Sequence, residues 1–164
     1  MLCRTAEFSQ QHNVACEDHS QRKITIEAHQ TMSLSFHIDY DGECEEAFHF
    51  YAECLGGKIG TMLKVADSPI PASATRPGHH IVHANISIDG VELAGADVEA
   101  HQYNKPAGFY VLLGVDSEEK VDAYFNALQT NGQVIMVPQR TFWSPRYAIV
   151  IDRFGVPWKI NRGT

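Results

Sequence analysis

One succession of elements occurs twice in this chain: strand, helix, glycine stop, then three strands. In the first copy, Leu34, Phe36, Ile38 and Tyr40 alternate with Ser35, His37 and Asp39, the period-2 pattern of a half-buried strand. Asp41-Gly42 marks a turn. Residues 43–55 then read as a helix, acidic in its first turn and apolar at Ala47, Phe48, Phe50, Tyr51 and Leu55. Gly56-Gly57 ends it. A strand over 58–65 leads into a loop carrying Pro69, Pro71 and Pro77. Strands over 81–89 and 91–96 follow, joined by the hairpin signal Asp89-Gly90. The second copy starts with an apolar strand over 109–115. Asp116 and Glu119 have capping-box spacing ahead of a helix that buries Val121, Tyr124, Phe125 and Leu128 and stops at Asn131-Gly132. Strands over 133–137, 147–152 and 156–161 complete it, and the polar stretch 98–107 links the copies. Neither half has enough strands to cover its helix and close a site alone. The pattern therefore predicts one α+β domain of two βαβββ modules, residues 32–97 and 107–164.

Residues 1–31 carry no sustained periodicity and read as a flexible polar leader, or as a consequence of start-site choice; only Lys23-Ile24-Thr25-Ile26 hints at a short strand. His12, His19 and His29 read as solvated tail histidines. A length of 164 residues suits one well-packed domain, and 44% hydrophobic with 20% charged residues excludes a disordered chain. A net charge of −7 argues against nucleic acid or an anionic membrane as the main partner. No apolar run approaches the roughly 18 residues of a membrane span, and the first ten residues lack the apolar core of a secretory signal. Cys44 and Cys54 fall on one predicted helix, about 15 Å apart at the helical rise, too far to bridge. Cys3 and Cys16 lie in the leader, and no Cys/His cluster has zinc-finger spacing. Reduced thiols and a cytoplasmic location are the expectation.

The segments Asp41-Gly42-Glu43-Cys44-Glu45-Glu46-Ala47-Phe48-His49-Phe50-Tyr51, Ile81-Val82-His83-Ala84-Asn85, Thr141-Phe142-Trp143 and Asp152-Arg153-Phe154-Gly155-Val156-Pro157-Trp158 resemble the PhnB-like branch of the vicinal oxygen chelate (glyoxalase/bleomycin resistance/dioxygenase) superfamily. The resemblance runs from about Met32 to Asn161. It implies paired modules forming a curved mixed sheet around a cleft, a small-molecule ligand and a homodimer. It also implies a divalent metal (Zn, Ni, Mn or Fe) held from the first and fourth strands of each module, acting as a Lewis acid. Carried onto this sequence, those positions are His37 and Glu92 in the first module, Tyr110 and Lys159 in the second. Phenol is a poor ligand at neutral pH, and an ammonium has no lone pair. The implied metal site is therefore incomplete. Relatives have been labelled ubiquinone-precursor methyltransferases, but this chain has no glycine-rich loop after its first strand to hold a methyl donor.

On the first strand the apolar side must face the helix, which turns His37 and Asp39 toward the cleft. A neutral imidazole there suits a base or a metal ligand, with Asp39 placed to orient it. His83 and Asn85 lie on the polar face of their strand, either as ligand contacts or as anchors of the strand. Trp143 and Arg146 suit an aromatic or anionic ligand by stacking and charge pairing; the alternative is that Phe142 and Trp143 pack a module or dimer interface. Lys159 alternates with Trp158 and Ile160, which points it at the cleft and favours a carboxylate or phosphonate. His79-His80 reads as exposed loop, since adjacent residues diverge on an extended chain. The proline-rich loop 66–78 reads as a flap over the cleft or a dimer arm. The predicted site thus has His37 and His83 as catalytic candidates. Asp39, Asn85, Tyr110, Trp143, Arg146 and Lys159 are its ligand contacts, and His37 with Glu92 the metal ligands. The expected function is a small-molecule-binding homodimer. Its alternatives are a metal-dependent lyase, isomerase or dioxygenase, and a non-catalytic sequestering protein.

Overall fold

The computed structural model describes residues 15–17, 23–25 and 35–163 and divides into two units, Met1–Leu34 and Ser35–Thr164. In the first unit β1 (Ala15–Glu17) pairs antiparallel with β2 (Lys23–Thr25), where the sequence hints at a short strand. Cys3, His12, His19 and His29 lie outside the described residues.

The second unit realises the repeated pattern. Its first module is β3 (Phe36–Tyr40), α1 (Cys44–Leu55), β4 (Lys58–Lys64), β5 (Ile81–Ile88) and β6 (Val91–Asp97). The second is β7 (Val111–Val115), α2 (Glu118–Leu128), β8 (Gln133–Gln139), β9 (Tyr147–Ile151) and β10 (Pro157–Arg162). The strand orders are β3-β6-β5-β4 and β7-β10-β9-β8, the same topology twice. In each, the first and last strands pair in parallel and the rest antiparallel, because the helix carries the chain across the sheet after the first strand. Among the described residues the paired modules that the resemblance implied form two four-stranded mixed sheets, with β3 and β7 each at an edge.

Local details differ from the sequence reading in two places. Ser117, not Asp116, caps α2 by accepting the Lys120 N–H, while the Asp116 carboxylate turns to the Lys120 ammonium 2.9 Å away. Strand β7 begins at Val111, so Tyr110 precedes it. Gly56 closes α1 in the left-handed region at φ +71°, whereas α2 ends at Leu128 with Gln129 as a right-handed C-cap, and Asn131 turns the chain at φ +57° just beyond it.

Each helix covers one face of its own sheet. Ala47, Phe48 and Tyr51 of α1 pack on Ile38, Tyr40, Ala84, Ile86 and Leu93. Val121, Phe125 and Leu128 of α2 belong to the same core as Ala148, Val150, Trp158 and Ile160. Tyr124 is only half-buried. The modules meet at the turn after β9. There the buried Asp152 carboxylate accepts hydrogen bonds from the Phe154 and Val156 N–H groups (2.9 and 3.0 Å), Trp158 Nε1–H (2.8 Å) and the Tyr51 hydroxyl of α1 (2.7 Å). Arg153 beside it lies 2.8 Å from Glu46 and stacks over Phe50 and Phe154. Two of the motifs that carry the family resemblance, the helix and this turn, are therefore the two halves of one inter-module contact.

Candidate functional site

The faces that the helices leave uncovered carry the polar residues. In the first module His37 is level with Ala94, and Ala94 with Asn85; Asp39 is level with Ala96, and Glu92 with Ser87. Because side chains alternate along a strand, all of these share one face. The alanines of the middle strand leave a trough with His37 and Asp39 on one bank and His83 and Asn85 on the other. His37 Nε2 lies 3.4 Å from Asp39 Oδ1, and both side chains are about half exposed (49% and 52%). The His37 and His83 rings are nearly parallel, 18° apart, with centroids separated by 6.4 Å. The sequence-predicted catalytic pair and its orienting carboxylate are thus together.

Asn85 is committed within the protein. Its Oδ1 accepts the Thr61 N–H at 2.6 Å, in the irregular part of β4, and its Nδ2 donates to Glu92 at 3.1 Å. The backbone donor fixes the amide orientation, so the NH2 group must face the Glu92 carboxylate. Gly60 makes room for this, since a Cβ there would lie 2.6 Å from Asn85 Oδ1. Asn85 is better described as the residue that holds Glu92 than as a free ligand contact.

A recess of about 220 Å³ opens beside His37 and Asp39 and is bounded by Val65, Ala96, Val98 and Arg76. Arg76 belongs to the proline-rich loop, which therefore supplies a wall of the site. Nothing in its sequence context singles Arg76 out; only the return of the loop against β5 and β6 brings it there.

The second module presents a different face. Lys159 is level with Leu112 on β7 and Ile149 on β9, and its ammonium sits 4.2 Å above the Tyr110 ring. Tyr147 and Asn161 share that face. Trp143 stacks edge-on against Tyr147 (5.6 Å) and Phe142 (4.5 Å), and Phe142 is 97% exposed. Arg146 does not join them. Its guanidinium forks onto Asp122 of α2 at 2.9 and 3.0 Å, so the partner it has within the protein lies on that helix.

The four positions implied for a divalent metal do not form a fitting donor set. Glu92 stands one same-face step, about 7 Å, along β6 from the residue level with His37, and its carboxylate is held by Asn85. Lys159 would repel a cation, and its partner Tyr110 is an aromatic platform for that ammonium rather than a ligand. Among the described residues no three His, Cys, Asp or Glu side chains converge on a common point.

Two βαβββ modules with helices on one side and open polar sheet faces on the other define the glyoxalase class of fold. The chain belongs to the Glyoxalase/Bleomycin resistance protein/Dioxygenase superfamily, whose family profile matches residues 36–160. It is similar to Protein YjdN of Escherichia coli (strain K12), with 32% identity over 139 residues, 79% of this chain and 95% of that one. Among solved structures it is similar to protein PA1353 from Pseudomonas aeruginosa, at 34% identity and a TM-score of 0.75 over 80% of this chain and 98% of that one. A PhnB protein from Bacillus cereus, named as a candidate 3-demethylubiquinone-9 3-methyltransferase, shares the fold at 20% identity and a TM-score of 0.70, covering 80% and 100% of the two chains. The same fold occurs at 10% identity and a TM-score of 0.57 in a fosfomycin resistance protein from Listeria monocytogenes, solved with Mn(II) and a dihydroxypropylphosphonic acid (82% and 94% covered).

Proposed function

We propose that this chain is a homodimeric small-molecule-binding protein whose ligand lies in the trough between His37–Asp39 and His83–Asn85. The observation that carries the reading is that His37, Asp39 and His83, with Glu92 held by Asn85, occupy one open sheet face. His37, with Asp39 3.4 Å away, is the candidate group for proton exchange with a bound molecule. Lys159 over Tyr110, with Trp143 at the end of the same sheet face, supports an anionic or aromatic ligand on the second module. The proposal of a dimer rests on the large apolar side chains left at the surface: Phe36, Val91, Leu112 and Phe142.

The test is a fragment screen by thermal shift, followed by mapping of the hits on amide NMR spectra. Hits should perturb the amides around His37, His83 and Ala94 and lose their effect in His37→Ala/His83→Ala, whose spectrum should otherwise stay native. Hits that map elsewhere, or that survive the double substitution, would overturn the assignment. The same protein, loaded with Zn, Ni, Mn or Fe salts and desalted, should retain less than one equivalent. One equivalent kept by the wild type and lost in His37→Ala would replace the binding reading with metal-assisted chemistry.

A further inference from the structure

The recess under the proline-rich loop contains an arginine that the fold leaves without a strong partner. Arg76 Nε comes within 3.8 Å of Glu99, beyond hydrogen-bond distance. Its backbone N–H bonds to Ser73, but its side chain donates no hydrogen bond among the described residues. Glu99 is shared, lying 3.6 Å from His101 Nδ1. The Arg76 side chain is only 29% exposed. A guanidinium presents five donors in a planar fork, and a carboxylate can accept two of them side by side.

The other charged groups on the recess are carboxylates that already have partners within the protein. Asp97 is committed, one oxygen accepting the Cys44 N–H (3.0 Å) and the other the Ile81 N–H (2.7 Å). Asp39 is turned to His37. The remaining walls, Val65, Ile81, Val82, Ala96 and Val98, are apolar. The volume, about 220 Å³, falls below the roughly 300–1,000 Å³ of drug-sized pockets. The occupant this describes is small. It has an anionic end for Arg76, a short apolar body, and a group that can both donate to Asp39 and accept from His37, which a hydroxyl does and an ammonium does not.

We propose that the recess binds a small 2-hydroxy carboxylic acid, its carboxylate forked on Arg76 and its hydroxyl set between Asp39 and His37. This rests on the open-face reading above and names the ligand class of its loop-side end. Lactate is the probe, with propionate (no hydroxyl) and lactamide (no charge) as controls, each followed by amide NMR titration of the full chain. Lactate should shift the amides near Arg76, His37 and Ala96 saturably, propionate should bind several-fold more weakly, and lactamide should leave them unmoved. Arg76→Gln should weaken lactate about tenfold or more, as expected for loss of charge-assisted bidentate bonds. Arg76→Lys, which keeps the charge and the fold, should fall between. Glu99→Gln, by removing the competing carboxylate, should tighten it. Lactamide binding as well as lactate, or indifference to Arg76→Gln in a folded variant, would overturn the proposal. Screen hits that still map to His37 and His83 while lactate shifts nothing would remove the hydroxy acid and leave the wider site intact.

Discussion

Asp152 shows how much one side chain decides here. Four donors from three segments of chain converge on its two oxygens, and one of them, Tyr51, comes from the other module. Burial pushes its carboxyl above the usual carboxylate range, with the Tyr51, Trp158 and backbone donors pulling the other way. Replacing it by alanine leaves the Trp158 indole N–H, the Tyr51 hydroxyl and two backbone N–H groups unsatisfied in the core. Asp152→Ala should therefore cost about 3 kcal/mol or more in urea denaturation, whereas Tyr51→Phe, which removes one of the four, should cost about 1 kcal/mol. Equal effects would mean that the Tyr51 bond carries the contact alone. The sequence marks Asp152 only as part of a family motif. That it joins modules rather than performs chemistry depends on a partner 101 residues away.

At the scale of elements, α1 illustrates a helix started from outside itself. Glu43, at its N-cap, makes no side-chain cap hydrogen bond. The first helical N–H, that of Cys44, is satisfied instead by Asp97 of β6, whose second oxygen holds Ile81 of β5. Glu43 is left among like charges. Partial burial raises its carboxyl above the ordinary value of 4.5, and Glu46, Asp41 and Asp97 add to the effect. With the native value raised, the folded state holds this proton more tightly than the unfolded chain. Stability then falls as pH rises through the window above 4.5, and the loss persists to neutrality. Glu43→Gln should accordingly stabilise the protein at pH 7 and lose that advantage at pH 4, measured as the difference in urea midpoint; a gain of the same size at both pH values would rule out the titration as its cause. The elements themselves were legible beforehand, because period, glycine stops and hairpin signals are local. Their caps were not: Asp116 was the expected cap of α2, but Ser117 has the extended backbone that lets its hydroxyl accept Lys120 N–H.

For the molecule as a whole, the distribution of exposed apolar surface bears on assembly. Phe36 and Val91 of the first module and Tyr110 and Leu112 of the second line a groove of about 260 Å³ at the seam of the two sheets, and they are 49%, 65%, 40% and 61% exposed. A dimer that covers this seam should run at twice the chain mass in light scattering, and Val91→Glu/Leu112→Glu should shift it to the monomer without unfolding it. A wild-type monomer at tens of micromolar would remove the dimer from the proposal.

By itself the sequence determined the repeated βαβββ order, the faces of the strands and the place of His37, Asp39 and His83 on one of them, because alternation and helical period are written residue by residue. Tertiary structure decided which polar groups are free. Arg146, read as a ligand contact, is taken by Asp122; Asn85 is spent on Thr61 and Glu92; and Arg76, which no local pattern marks, is carried by its loop to the recess. A side chain's type fixes what it can bind, but whether it is already satisfied depends on partners that only folding brings within 3 Å.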